Sequence, residues 1–233
     1  MKSKYYLLSA IFLVFSLLLQ LKHLFFTEDV QVSTAPENPT ILIDAGHGGE
    51  DGGAVSVTGS IESNINLAIA LDLKQLLLFY GIEPVLLREE DISLHDPELL
   101  TVKEKKTSDL KNRVEIVNQY ENPLLLSIHQ NIYTEEKYFG AQVFYTEEAQ
   151  VFAQNLQDLL CEYLNPENTR VSKAVDPSLY LFNHIEASGI LVECGFLSNN
   201  TEASLLDTPE YQLKIACVLL ASITSMDQDK ENL

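Results

Sequence analysis

The chain has 233 residues, 46% hydrophobic and 21% charged, an ordinary globular balance that excludes intrinsic disorder. Its 34 acidic and 15 basic residues give a formal charge of −19, which repels phosphate backbones and excludes nucleic acid as a partner. Three scattered cysteines, Cys161, Cys194 and Cys217, form neither a disulfide framework nor a thiolate zinc site. Cys194 and Cys217 lie in apolar runs and are expected to be buried free thiols.

Lys2 and Lys4 precede a nearly unbroken apolar run from Tyr5 to Leu21. As a helix this run is about 26 Å long, the short end of what spans a bilayer. Residues 1–26 are expected to be a signal-anchor oriented N-in and C-out by the two lysines. A cleaved signal peptide is the alternative, although small cleavage-site residues are missing where the run ends. Either reading puts the rest of the chain on the extracytoplasmic side. Residues 27–40, with Pro36 and Pro39, read as a linker, 41–226 as one domain, and 227–233 as a polar tail.

Within the domain, Ile41–Asp44 reads as a strand running into a Gly-rich loop. The stripe Ile65, Ile69, Leu73, Leu76 predicts a helix over 63–80, stopped by Gly81. Ile82–Arg88 returns as a strand, and Glu89–Thr107 reads as a long polar excursion. Ser108 is expected to cap a helix carrying Leu110, Val114 and Val117. Strands follow at Leu124–His129 and Ala141–Tyr145, then a helix at Glu147–Leu164, short strands at Leu179–Phe182 and Ile190–Cys194, and a final helix at Pro209–Met226. This alternation predicts an α/β fold, a single domain whose twisted, mostly parallel sheet carries helices on both faces.

Candidate chemistry gathers at strand ends. His47 sits among Gly46, Gly48 and Gly49 after the first strand, His129 ends the strand Leu124–His129, and Glu193 ends the strand Ile190–Cys194. Glu62 begins the first helix, where a carboxylate also complements the helix dipole. In an open α/β sheet, ligands bind beyond the carboxyl ends of the strands. Two imidazoles and one carboxylate make a zinc set with an open fourth position, and the remaining carboxylate can take a proton from water. No G-x-S-x-G motif supports serine catalysis.

Asp44-Ala-Gly-His-Gly-Gly49, Glu62, Ser127-Ile-His-Gln-Asn131 and Val192-Glu-Cys-Gly-Phe-Leu-Ser-Asn199 together resemble the zinc-dependent N-acetylmuramoyl-L-alanine amidases of the amidase-3 family, over about residues 40–226. The resemblance implies Zn²⁺ held by His47, Glu62 and His129, with Glu193 as the catalytic carboxylate. It implies hydrolysis of the amide between the lactyl group of muramic acid and L-alanine of peptidoglycan. Gln130, Ile132 and Cys194 depart from the family's usual residues, which questions substrate fit more than activity. The short, anchored form is most similar to amidases of the spore cortex, which free muramic acid so that a polysaccharide deacetylase can complete muramic-δ-lactam. An accessory protein is a further partner in that reading. A vegetative wall amidase, another zinc wall peptidase and a non-catalytic wall-binding protein are the alternatives, the last of which predicts a damaged zinc set.

Five further residues are candidates for binding substrate: Arg88, Arg113, Asn131, Arg170 and Lys173. For Arg88 and Arg113 structural ion pairing is the preferred reading, and positioning of glycan or peptide carboxylates the lesser one. Arg170 and Lys173 are a rare basic pair in an acidic chain, suited to substrate carboxylates. Asp44 or Asn131 is expected to hydrogen-bond a metal-bound histidine. His95 and His184 are read as solvated or structural.

Overall fold

A computed structural model describes residues 39–231. Its elements are β1 (Thr40–Ala45), α1 (Glu62–Phe79), β2 (Val85–Leu86), α2 (Val102–Val117), β3 (Pro123–Asn131), β4 (Gln142–Tyr145), α3 (Gln150–Tyr163), β5 (Lys173–Ala174), α4 (Tyr180–His184), β6 (Ser188–Phe196), α5 (Asn200–Leu206) and α6 (Pro209–Glu231). The strand order is β2-β1-β3-β6-β4-β5. Strands β2, β1, β3 and β6 run parallel, β4 is antiparallel to β6, and β5 is parallel to β4. The α/β architecture is as expected, but the sheet is mixed rather than simply parallel. The connection from β3 to β4 holds no helix, so the chain doubles back instead of making the crossover a parallel neighbour requires.

The pleat sorts side chains onto two faces. Ile41, Ile43, Leu124, Leu126, Ile128, Ile190 and Val192 face the larger core, built with α1, α3 and α6. Leu42, Leu125 and Leu191 face the other way, toward Val117 of α2 and Leu181 and Phe182 of α4. Toward the carboxyl ends of the strands this second face changes character. The alternation that gives Leu42, Leu125 and Leu191 continues as Asp44, Ser127, His129 and Glu193.

Helix α1 forms where its apolar stripe predicts, with Ile65, Ile69, Leu73 and Leu77 buried. It ends in a Schellman motif: Gly81, at φ +80°, donates its N–H to Leu78 O at 3.0 Å, and Ile82 N–H reaches Leu77 O at 2.9 Å. Helix α2 starts earlier than expected. Thr101, not Ser108, is the N-cap, in a reciprocal capping box with Glu104. Ser108 lies inside the helix, and its hydroxyl accepts the Asp96 N–H at 3.0 Å, tying down the preceding loop. The expected strand at Leu179–Phe182 is instead helical. Leu181 and Phe182 both enter one core, which adjacent residues of a strand cannot do. The expected strand at 82–88 pairs only at Val85 and Leu86, and Cys217 is exposed rather than buried.

Among the described residues no helix is long and apolar enough to cross a membrane. The anchor expected over 1–26 and nearly all of the linker lie outside them.

Candidate active site

Beyond β1 the backbone turns through Gly46, His47 (φ +61°), Gly48 (φ +135°) and Gly49 (φ +59°). A positive φ at a non-glycine residue is strained and persists only where its surroundings enforce it. Here two buried arginines do so. Arg88 donates to the carbonyls of Ala45, Gly46, Ser63 and Glu90, and Arg113 donates to those of Ala45 and His47. The loop thereby presents His47 to Glu62, with Nε2 to Oε2 at 3.4 Å. His129 approaches the other oxygen, with Nδ1 to Oε1 at 3.0 Å. One ligand atom from each of these three residues can be chosen so that all lie within 4.8 Å of one another.

Glycines make this convergence possible. A methyl group at Gly46 would fall 2.1 Å from His129 Nε2, and one at Gly53 would fall 2.6 Å from Glu62 Oε2. Glu62, 3% exposed, also accepts the N–H groups of Ala54 and Gln130 at 2.9 and 3.1 Å. Burial alone would raise its pKa, but hydrogen bonds and charge from His129 and His47 hold the carboxyl far below its ordinary range. Burial alone would lower that of His47, but Glu62 and Asp51 overcome it and raise it. His47 Nδ1 contacts Asp51 Oδ2 at 3.0 Å, so Asp51 fixes the ring from one side while Nε2 faces Glu62 on the other.

Glu193 stands opposite His129 in the β3–β6 register. Its Oε2 is covered and has no hydrogen-bond partner among the described residues. Burial raises its pKa; Glu62 adds to this, while His129 and His47 oppose it. His47, His129 and Glu193 line a cleft of about 200 Å³ whose wall includes Arg113, Leu181 and Phe182, and the buried Glu62 reaches it through the two histidines. A larger concavity of about 710 Å³ lies at the other end of the sheet, near Pro123 and Ser188, and contains none of the four. The chemistry is in the smaller one.

The structure thus brings His47, Glu62, His129 and Glu193 together. The other candidates fare differently. Arg88 is buried with its guanidinium turned onto carbonyls, and Arg113 is an ion-paired brace between Asp44 and Asp109. Asp44 accepts from Arg113 and from Ser127 Oγ, so it is Asp51 and not Asp44 that orients His47. Asn131 ends β3, and its carbonyl accepts the Leu197 N–H. Arg170 lies outside the cleft lining, beside Gln142 and Phe139, and Lys173 is exposed on β5. His95 and His184 bond locally, to Ser93 and to Tyr180 O. Sequence reading missed Asp51 and Asn66. Each lies four residues beyond a candidate ligand, and Asn66 bonds both Glu62 and Gly46 O. For Asn66 the signal was present, since i and i+4 share a helix face.

The profile of the amidase-3 family, N-acetylmuramoyl-L-alanine amidase, matches residues 41–225. The chain belongs to this family. The germination-specific N-acetylmuramoyl-L-alanine amidase of Bacillus subtilis (strain 168) is 36% identical over 186 residues, covering 78% of this chain and 77% of that protein. Among solved structures, the CwlD amidase from Clostridioides difficile, in complex with the GerS lipoprotein, matches with a TM-score of 0.77 at 38% identity, over 81% of this chain and 98% of that one. An N-acetylmuramoyl-L-alanine amidase from Clostridium difficile 630 matches with 0.68 at 26% identity, over 80% and 95%. This amidase acts on peptidoglycan. Its departures from the usual family pattern have a place in the structure. Gln130 donates to Asn66 Oδ1 at 3.1 Å, which steadies the side chain that bonds Glu62, and Cys194 packs into the larger core.

Proposed function

We propose that this amidase is zinc-dependent, with His47, Glu62 and His129 as ligands and Glu193 as the catalytic carboxylate, and that it works on spore-cortex peptidoglycan. The observation that carries the site assignment is the unpartnered Glu193 oxygen, buried beside a three-residue cluster that could hold a metal ion. A covered carboxylate oxygen without a donor is costly unless the site has a use for it. The donor set fits zinc: two imidazoles and one carboxylate, with the His47 ring oriented by Asp51. When bound, zinc supplies Lewis acidity that acidifies water and polarises the scissile carbonyl.

The protein's own groups do the rest. Glu193 accepts a proton from the attacking water and delivers it to the departing amine of L-alanine. Its raised pKa, set first by burial, suits a group that must both take and return a proton near neutrality. Leu181 and Phe182 give the cleft an apolar wall that limits bulk water. The experiment is metal content beside turnover for two variants on purified peptidoglycan. Glu193→Gln keeps zinc while kcat falls roughly 10²–10⁴-fold. Glu62→Gln loses zinc. The reverse pattern would exchange the two roles.

The cortex assignment is supported by the germination-specific relative. It calls for a polysaccharide deacetylase that acts after the peptide leaves and, as for the relative solved with a lipoprotein, an accessory protein. The apolar run after Lys2 and Lys4 supports anchoring on the extracytoplasmic face of the membrane. Spores lacking this protein should lack muramic-δ-lactam, and an unchanged muropeptide profile would remove the cortex role.

A further inference from the structure

The chain has three arginines, and their surroundings differ. Arg88 and Arg113 are buried and fully engaged with carbonyls and carboxylates. Arg170 is half-exposed. Its Nε donates to Phe139 O at 2.8 Å and its Nη1 to Gln142 Oε1 at 3.1 Å, while Nη2 makes no hydrogen bond among the described residues. The guanidinium carbon lies 4.6 Å from the centre of the Phe196 ring, so one face of the fork rests on an aromatic. None of the ion pairs among the described residues involves Arg170. Glu202, whose carboxyl feels its charge, accepts the N–H groups of Gly140 and Phe196 instead. The guanidinium is therefore fixed on two sides, and its remaining donor is free in a chain of formal charge −19.

Its position ties it to the chemistry. Gln142 is the register partner of Glu193 across the β4–β6 pair, and its neighbour Val143 enters the larger core, so Gln142 projects on the face that carries Glu193. Adjacent strands are about 4.8 Å apart, and a residue in contact with Gln142 is one hydrogen bond further out. That span corresponds to roughly two or three extended residues at about 3.4 Å each. A peptide whose first amide lies at Glu193 and which runs across the sheet toward β4 reaches Arg170 with its second or third residue.

We propose that Arg170 is the carboxylate receptor of the amidase, binding a free carboxylate of the stem peptide one or two residues beyond L-alanine and so setting the peptide's register against Glu193. The inference rests on the active-site reading of the His47–Glu193 cleft. Arginine suits the task because its planar donor geometry is already set, whereas Lys173, exposed on β5, is a flexible point charge that attracts without fixing direction. Arg170 becomes a specificity-determining residue, and the discriminated feature is a free against an amidated carboxyl.

The test compares kcat/KM of the zinc-loaded enzyme on muropeptides of identical glycan whose stem peptides carry free or amidated carboxylates. The wild type prefers the free form by about tenfold to a hundredfold, the worth of a charge-assisted hydrogen bond. Arg170→Gln brings the ratio close to one, and Arg170→Lys recovers part of it. If Arg170→Gln slows both substrates equally, the residue is only a brace for the 138–142 segment and the proposal falls. It also falls if Lys173→Gln erases the preference as completely, because the selectivity is then diffuse attraction. Calorimetry of free stem peptides binding to the wild-type holoenzyme covers the case in which Arg170→Gln fails to fold. Tighter binding of the free-carboxyl peptide, weakened by amidation, supports the receptor, and equal binding overturns it. Because this binding is read without turnover, it stands or falls separately from the role given to Glu193.

Discussion

Replacing Arg113 with Met keeps the apolar stem and removes the guanidinium that closes the floor of the cleft. That group pairs with Asp44 and with Asp109 and donates to His47 O at 2.8 Å. Asp44 is 1% exposed, and its other oxygen accepts from Ser127 Oγ at 2.6 Å. Without Arg113 a buried carboxylate retains one hydroxyl donor and no cation. Removing one partner of a buried pair costs about 3–5 kcal/mol. For a domain of this size each kcal/mol moves Tm by about 2–4 °C, so Arg113→Met should melt about 6–20 °C lower at pH 7. The pH dependence has a definite sign. Burial alone would raise the pKa of Asp44, but Arg113 and Ser127 hold it below its ordinary value. The pair's contribution is therefore present above the unfolded carboxyl value of about 3.9 and lost as pH falls through the lower folded value. In the variant burial is opposed only by Ser127 and His129, Asp44 protonates at higher pH than in the wild type, and the gap to wild type narrows on acidification. Thermal denaturation followed by circular dichroism at pH 7 and in steps down through the unfolded carboxyl value of about 3.9 measures both effects. Adding Asp44→Asn should recover much of the loss, since it removes the stranded charge. A single variant melting within about 2 °C of wild type, or a double variant no better than the single, would refute the reasoning.

Three further outcomes follow from the same geometry. Gly46→Ala places a methyl group on the His129 ring, so zinc content and hydrolysis should both fall at least tenfold while far-ultraviolet dichroism is unchanged, and retained activity would show that the ring can move aside. Asp51→Asn weakens the acceptor that orients His47 and should reduce metal affinity about 10–100-fold, read by competition with a chelating dye. Thr101→Ala removes half of the α2 capping box and should cost about 1 kcal/mol, or about 2–4 °C in Tm, with turnover kept.

The meeting of His47, Glu62, His129 and Glu193 was legible because each stands at the end of a strand or the start of the following helix, where an open α/β sheet gathers its ligands. Helix α1 was legible because its stripe and its glycine stop agree. For Arg113 the preferred reading of a structural ion pair matches its pairing with Asp44 and Asp109, whereas Arg88 turns onto backbone carbonyls instead, and the loop-bracing role of both was not legible. Nothing local says whether a cation near a strand end faces solvent or turns inward to hold a strained loop, and here both turn inward. The start of α2 was missed although Thr101 and Glu104 spell a capping box, because the strongly charged run after them hides the helical period. At 179–182 a short apolar run fits strand and helix equally well, and only packing against Leu42, Leu125 and Leu191 decides.

Strand β6 is the last to leave the ribosome, yet it lies between β3 and β4 at the centre of the sheet. A growing chain therefore holds His47, Glu62 and His129 long before the carboxylate that faces them. Until Ser188–Phe196 inserts, β4 has no partner but β5. The order of synthesis thus works as a built-in delay: fragments that end before β6 contain His47, Glu62 and His129 but neither the complete sheet that aligns them nor Glu193. The amidase site is thereby incomplete for most of the chain's synthesis, and it is assembled in one late, long-range event rather than by gradual increments.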